Sequence, residues 1–164
     1  MDKPLFQAAE VIDMAIEIER QGLAFYEGCA VARATESVSE VFEYAAEQER
    51  RHIERFAKMK RDLDEYTVPE SYPGETIAYL RGFLKNRLFT SVDDASCSAE
   101  AIEDEMEAVD TAIELERSTI GFYSGVKQIV RDSEKIVVDD LIEEEHQHIR
   151  RLLELKDTLS ADAE

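Results

Sequence analysis

The stretch AIEIERQGLAFY at residues 15–26 decides the fold, because the chain repeats it as AIELERSTIGFY at residues 112–123. The two stretches match at seven of twelve positions, with an offset of 97 residues. A second pair follows in the same order at an offset of 96: VFEYAAEQERRHIERFAKMK at 41–60 and VVDDLIEEEHQHIRRLLELK at 137–156. The preserved order and spacing predict a tandem duplication of one helical hairpin.

Apolar residues in these segments recur at steps of three and four, which is the period of a helix and not of a strand. We expect long helices at about 5–34, 37–66, 99–132 and 134–160. The connection between the second and third is too long for a bare loop in a compact domain. It should contain a short amphipathic helix around Thr76–Leu88, where Ile77, Leu80, Leu84 and Leu88 share a face. Short, long and short connections predict an all-α four-helix bundle with one long crossover connection.

The length of 164 residues suits one domain, expected to span 1–164. It would comprise repeat 1 at about 5–66, the crossover at about 67–98 and repeat 2 at about 99–160. Apolar residues make up 44% of the chain, and it contains only six Gly and three Pro, which is typical of a helical domain with a core.

The formal net charge of −19 argues against nucleic-acid or membrane partners, because a polyanion repels phosphate backbones and anionic headgroups. A cation is the natural partner. No apolar stretch approaches the ~20 residues that span a bilayer. The N-terminal residues MDKPLF lack the pattern of a signal peptide, so we expect a cytoplasmic protein. Cys29 and Cys97 are predicted to be isolated reduced thiols.

Six ionisable residues interrupt the apolar stripes of the four long helices at core positions. They are Glu19, Glu49, His52, Glu116, Glu145 and His148. Burying a carboxylate without a partner costs several kcal/mol, so a positive charge must lie among them. Residues three apart on a helix differ by about 60° around its axis, so each Glu-x-x-His pair can converge on one ion. Two such pairs and two further glutamates predict a site for two metal ions. Oxygen-rich ligation with one His per ion favours iron or manganese over structural zinc.

These motifs resemble the rubrerythrin-like branch of the ferritin-like di-iron carboxylate superfamily. The resemblance covers nearly the whole chain and is carried by four segments: ERQGLAFY at 19–26, ERRH at 49–52, ERSTIGFY at 116–123 and EHQH at 145–148. It implies a ferritin-like bundle holding two iron ions, with manganese or zinc as substitutes. It also implies that Glu49 and Glu145 bridge the ions, and that the other four residues bind terminally. Reduction of peroxide or dioxygen, an external electron donor and a homodimer are further implications.

The chain departs from rubrerythrin proper in two respects. Rubrerythrin has a further Glu one turn before the third-helix ligand, where this sequence has Ile113, with Ile16 as its counterpart in repeat 1. The redox-linked ligand shift associated with peroxidase activity is therefore not implied here. A rubredoxin domain with paired CxxC motifs is also absent from the sequence, so electrons are expected from a separate protein or a small reductant.

Two tyrosines lie two turns beyond the single glutamates on the same helix faces, Tyr26 after Glu19 and Tyr123 after Glu116. We predict that their hydroxyls hydrogen bond to ligand carboxylates across the bundle and support the chemistry there. Packing tyrosines bonded to backbone or water are the alternative. His146 lies about 200° around its helix from His148 and is expected to face solvent.

The leading functional hypothesis is a di-iron oxidoreductase. Iron binding for storage or ferroxidase activity, without sustained redox turnover, is the alternative. A third possibility is a degenerate bundle without metal. For Glu19 and Glu116 alone, the alternative to metal binding is that Arg20 and Arg117 cap or pair with them. The other acidic residues, including those of Glu100–Glu107 and Asp139–Glu144, are interpreted as solvated helix faces.

Overall fold

A computed structural model describes residues 8–32, 35–63 and 75–164. These ranges contain helices and no strands. The helices are α1 (Ala8–Val31), α2 (Glu36–Leu63), α3 (Glu75–Lys85), α4 (Val92–Ala101), α5 (Glu105–Ile129) and α6 (Asp132–Asp162).

Four of these helices form a bundle, and the other two cover one side of it. Helices α1 and α2 pack together as one hairpin, and α5 and α6 pack as the second. The hairpins meet through α1 against α5 and α2 against α6. In the crossover, α3 packs on α5 and α4 packs on α1. The predicted all-α bundle with a long crossover is confirmed.

The apolar core consists of two clusters that occupy opposite parts of the bundle. The first takes in Ile12, Phe56, Met59, Leu63, Phe122 and Leu141, and the second takes in Phe25, Phe42, Ala45, Val109, Ala112 and Leu152. Both clusters draw residues from all four bundle helices. The predicted core stripes of α2 and α6 therefore face inward, as their periodicity required.

The predicted third helix at 99–132 is wrong at its beginning, because the chain breaks there into α4 and α5. Ile102 adopts an extended conformation with φ −64° and ψ 129°, and Asp104 is extended as well. The Asp104 side chain accepts a hydrogen bond from the backbone N–H of Glu107, which caps the start of α5. A carboxylate at this position satisfies one of the donors that a helix start leaves free.

The crossover also contains more helix than predicted. The expected helix around residues 76–88 corresponds to α3, but α4 was not predicted. Leu80 is buried as its position on the shared face requires, whereas Leu88 lies beyond the end of α3 and is 47% exposed. Ser91 caps α4 by accepting from the backbone N–H of Asp94.

The remaining boundaries agree with the expected ones to within a few residues. Residues 5–7, 33–34 and 64–66 of the expected helices lie outside the described residues. None of the described helices combines the length and apolar character needed to cross a membrane.

Candidate metal centre

The six predicted ligand residues come together in the middle of the bundle. Each of the four bundle helices contributes, and every one of these side chains is buried. The set is Glu19 from α1, Glu49 and His52 from α2, Glu116 from α5, and Glu145 and His148 from α6.

The cluster contains two overlapping groups of four ligand atoms, and in each group all atoms lie within 4.8 Å of one another. One group is Glu19, Glu49, His52 and Glu145, and the other is Glu49, Glu116, Glu145 and His148. Glu49 and Glu145 belong to both groups. We call the outer pair Glu19 and His52 the His52 side, and Glu116 and His148 the His148 side. Each group offers three carboxylates and one imidazole, which could hold a metal ion.

Glu145 lies between the two imidazoles with one oxygen toward each. Its Oε1 is 2.9 Å from His52 Nδ1, and its Oε2 is 2.8 Å from His148 Nδ1. The outer glutamates are arranged alike. Glu19 Oε2 lies 3.4 Å from His52 Nδ1, and Glu116 Oε1 lies 3.4 Å from His148 Nδ1. The imidazole rings are nearly parallel, with centroids 5.6 Å apart and an interplanar angle of 15°.

Burial and mutual charge shift the pKa values within this cluster. Burial and the charge of Glu145 raise the pKa of Glu116 to about 8. Although burial opposes it, the carboxylates of Glu116 and Glu145 raise the pKa of His148 to about 10. Burial also acts against ionised Glu145, but the imidazoles of His52 and His148 hold the pKa of that carboxyl well below its ordinary range. Without metal the cluster therefore retains protons, which a bound cation would displace.

Unpartnered polar atoms indicate how well these residues fit a metal. Among the described residues, most of the buried side-chain nitrogen and oxygen atoms that make no hydrogen bond belong to the cluster. They are both oxygens of Glu19 and of Glu145, Oε1 of Glu49, and Nδ1 of His52 and of His148. The Glu145 oxygens and the two Nδ1 atoms lie 2.8–2.9 Å apart, but not in hydrogen-bonding geometry. An unsatisfied buried polar group costs about 1–3 kcal/mol. Metal coordination would satisfy these atoms together, and the donor set of carboxylates and imidazoles suits iron or manganese.

The two tyrosines differ in their hydrogen bonding although both are fully buried. The Tyr26 hydroxyl donates to Glu116 across the bundle. Burial and the neighbouring charge of Glu116 raise the pKa of Tyr26 well above its ordinary value, so the phenol keeps its proton. The Tyr123 hydroxyl has no hydrogen-bond partner among the described residues. The repeat therefore does not produce a matching pair of contacts.

A carboxylate that the sequence interpretation placed on a solvated face, Glu144, contacts the cluster instead. Its Oε2 lies 2.8 Å from His52 Nε2, and its Oε1 accepts from Arg55 Nη1 at 2.7 Å. The contact with His52, together with Arg55, holds the pKa of Glu144 below its ordinary value despite partial burial. An ionised carboxylate can only accept, so His52 Nε2 carries the hydrogen and Nδ1 is the atom free to bind metal.

Two further residues near the cluster were not predicted from the sequence. Gly22 leaves room for a ligand carboxylate, because a Cβ atom there would lie 2.8 Å from Glu49 Oε2. Arg87, between α3 and α4, has two buried guanidinium nitrogens that make no hydrogen bond to the part of the chain that the structure describes. Burial lowers the pKa of Arg87 to about 10, with the charge of Glu19 acting in the opposite direction.

The structure also bears on the alternatives drawn from the sequence. Arg117 donates to Glu114 at 2.8 Å and is exposed, and Arg20 is exposed as well. Neither arginine therefore pairs with the buried Glu19 or Glu116 as that alternative required. His146 is exposed, which confirms its expected orientation. Cys29 is buried and Cys97 is exposed, and both are free thiols.

Four bundle helices, a covering crossover, and a glutamate or Glu-x-x-His pair from each helix define the class of ferritin-like carboxylate proteins. This ligand pattern is the one known for that class as a whole. A family model described as Rubrerythrin matches residues 10–156. The chain therefore belongs to the rubrerythrin family.

The fold has a counterpart among solved structures. A crystal structure from Thermotoga maritima, of a protein assigned as a ferritin-like diiron-carboxylate protein, matches with a TM-score of 0.64. The match covers 95% of this chain and 98% of the other, at 24% sequence identity. At this identity the likeness establishes the fold. No curated protein matches the sequence.

Proposed function

We propose that this chain binds two iron ions and is a non-haem di-iron oxidoreductase that reduces peroxide or dioxygen. The observation that carries the proposal is the pair of overlapping ligand groups that share Glu49 and Glu145. Four carboxylates balance the charge of two divalent cations, which removes the main cost of burying the cluster. Manganese or zinc could substitute at the same ligands.

The ligand roles in this proposal follow the geometry of the cluster and the family resemblance. Glu49 and Glu145 would bridge the ions, because each belongs to both groups. The His52 side would complete one coordination shell, and the His148 side would complete the other. The nearly equal outer distances of 3.4 Å support this pseudo-symmetric assignment.

Bound iron would supply the electrons for the reaction, and reduction of one peroxide to two water molecules takes two electrons and two protons. The chain itself fixes the ligands and limits access of water, because apolar clusters lie on both sides of the site. The Tyr26 hydroxyl would orient the Glu116 carboxylate through its hydrogen bond. The proposal includes an external electron donor, a homodimer and a cytoplasmic location, as expected from the sequence and the resemblance.

Iron binding for storage or ferroxidase activity is the second candidate function. The net charge of −19 supports it, because an acidic surface attracts cations. The two functions differ in turnover. An oxidoreductase consumes oxidant as long as electrons are supplied, whereas a ferroxidase oxidises its iron once and retains the product.

Counting peroxide consumed per di-iron site separates these functions. Protein loaded with Fe(II) under anaerobic conditions receives peroxide and an excess of a one-electron reductant. Consumption of many peroxides per site supports the oxidoreductase, and consumption that stops near one per site supports the ferroxidase. The E49A/E145A double variant, given the same iron, is the control for reaction in free solution. Equal rates for this variant and the wild type would refute catalysis at the cluster.

A further inference from the structure

The duplication relates the two sides of the metal centre, and one residue breaks that relation. With the offset of 96, His52 corresponds to His148 and Arg55 corresponds to Arg151. The same offset relates Glu144, beside His52, to Gln48. A carboxylate therefore precedes the bridging glutamate in repeat 2, and a neutral amide precedes it in repeat 1.

On the His52 side, this carboxylate completes a chain of contacts to the imidazole. Glu144 lies 2.8 Å from His52 Nε2 and is held in turn by Arg55 at 2.7 Å. The Glu144 and Arg55 side chains are only about one-third exposed, at 33% and 32%. A carboxylate on the outer nitrogen of a ligating histidine fixes the ring and increases its basicity as a ligand.

On the His148 side, the corresponding groups form a different arrangement. Among the described residues, no carboxylate meets Arg151 in the way that Glu144 meets Arg55, and Arg151 lies over the Tyr44 ring at 4.0 Å from its centroid. The Tyr44 and His148 rings are nearly perpendicular, with an interplanar angle of 86° and centroids 6.4 Å apart. An aromatic ring gives the imidazole no anionic acceptor. The Tyr26 hydroxyl also donates to Glu116, which draws electron density from the outer carboxylate of this side.

We infer that the two metal positions differ in affinity, and that the position on the His52 side fills first because Glu144 supports its histidine. The inference rests on the proposed function. Its physical basis is that an outer carboxylate on a ligating histidine typically changes metal affinity by 10- to 100-fold. The charge of Arg87 acts on Glu19 in the opposite direction. Its buried guanidinium nitrogens, however, make no hydrogen bond within the described ranges, whereas Glu144 contacts the imidazole directly.

The inference is tested by titrating the chelator-treated full chain with Fe(II) under anaerobic conditions and measuring the binding by calorimetry. The wild type should bind two ions in two steps, the first at least about 10-fold tighter than the second. Glu144→Gln should weaken the first step by about 10- to 100-fold and bring the two steps together. Gln48→Glu should strengthen the second step by a similar factor, because it places a carboxylate at the position that corresponds to Glu144 in the repeat. Glu143→Gln, at an exposed position, is the matched control and should leave both steps unchanged.

Two further variants identify the position that fills first. His148→Ala should keep the tight step, and His52→Ala should lose it. Circular dichroism and urea unfolding without metal show whether each variant is folded. Weakened metal binding is then interpreted only for variants that fold. Two sites of equal affinity in the wild type, or unchanged binding in folded Glu144→Gln, would overturn the inference. A stoichiometry of two ions per chain would still support the di-metal site in either case. No binding by the wild type would overturn the proposed function itself.

Discussion

Replacing the two buried tyrosines by phenylalanine, one at a time, should lower stability at Tyr26 and should not lower it at Tyr123. Both rings are fully buried and pack against aromatic neighbours, Tyr26 at 5.8 Å from Phe42 and Tyr123 at 5.3 Å from Phe56. Phenylalanine preserves those ring contacts and removes only the hydroxyl. The two substitutions are therefore matched in volume and differ in the hydrogen bond that is lost.

The magnitudes follow from the partners of the two hydroxyls. The Tyr26 hydroxyl donates to the buried Glu116 carboxyl group, and removing one partner of a buried hydrogen bond leaves the other unsatisfied at a cost of about 1–3 kcal/mol. Tyr26→Phe should therefore lower the free energy of unfolding of the metal-free protein by about 2 kcal/mol. The Tyr123 hydroxyl has no partner among the described residues, so Tyr123→Phe relieves an unsatisfied buried group. Its effect should lie between zero and a gain of about 1 kcal/mol.

Urea unfolding in the presence of a chelator, followed by far-ultraviolet circular dichroism, measures both values. In thermal unfolding the difference corresponds to roughly 2–4 °C per kcal/mol for a chain of this size. A loss of stability in Tyr123→Phe as large as that in Tyr26→Phe would show the reasoning to be wrong. Equal losses would mean that the two hydroxyls contribute equally to stability, despite the hydrogen bond of Tyr26 to Glu116.

Three other predictions concern pH, a glycine and a histidine. Metal-free protein should lose stability as pH rises from about 5 to 10. The pKa of Glu116 is raised to about 8 and that of His148 to about 10, so the folded state binds more protons than the unfolded state in this range. Urea titrations at several pH values measure this dependence, and a rise in stability over the range would contradict it. Gly22→Ala should weaken Fe(II) binding by displacing the Glu49 carboxylate, whereas Gly82→Ala, with no atom within 4 Å of the added Cβ, should leave binding intact. Both substitutions add about 1 kcal/mol of helix propensity, so calorimetry and urea unfolding together separate lost binding from lost fold. His146→Ala should retain the metal content of the wild type, since this side chain is exposed, and His148→Ala should retain less; equal metal content in the two variants would contradict the assignment.

The ligand candidates could be found from the sequence because they break a regular pattern. A glutamate or histidine at a core position of an amphipathic helix is conspicuous, and the duplication shows the same exception twice. Helical periodicity alone places Glu49 and Glu145 on inward faces, so their convergence follows once the four helices form a bundle.

The contacts around the ligands were harder to predict, because they depend on how helices pack. Glu144 lies about 100° around α6 from Glu145, and only the approach of α2 brings it to His52. Likewise, both copies of the repeat contain the tyrosine, yet Tyr26 and Tyr123 face different surroundings. Sequence similarity between the repeats gave no reason to expect unequal hydrogen bonding.

The break between α4 and α5 did have a local indicator. The segment DEME at 104–107 places Asp at the cap and Glu three residues later, which is typical of a helix start. The apolar periodicity extending on both sides of it favoured one continuous helix. Cap chemistry prevails there, because Asp104 satisfies the backbone N–H of Glu107.

The central claim, a site for two metal ions, is tested most directly by metal content per chain. Wild type and the E49A/E145A double variant are loaded with Fe(II) under anaerobic conditions, desalted and analysed for iron and protein. We expect about two ions per wild-type chain and almost none in the folded variant, because both shared ligands are gone. Folded wild-type protein that retains no metal, or a variant that retains as much as the wild type, would contradict it.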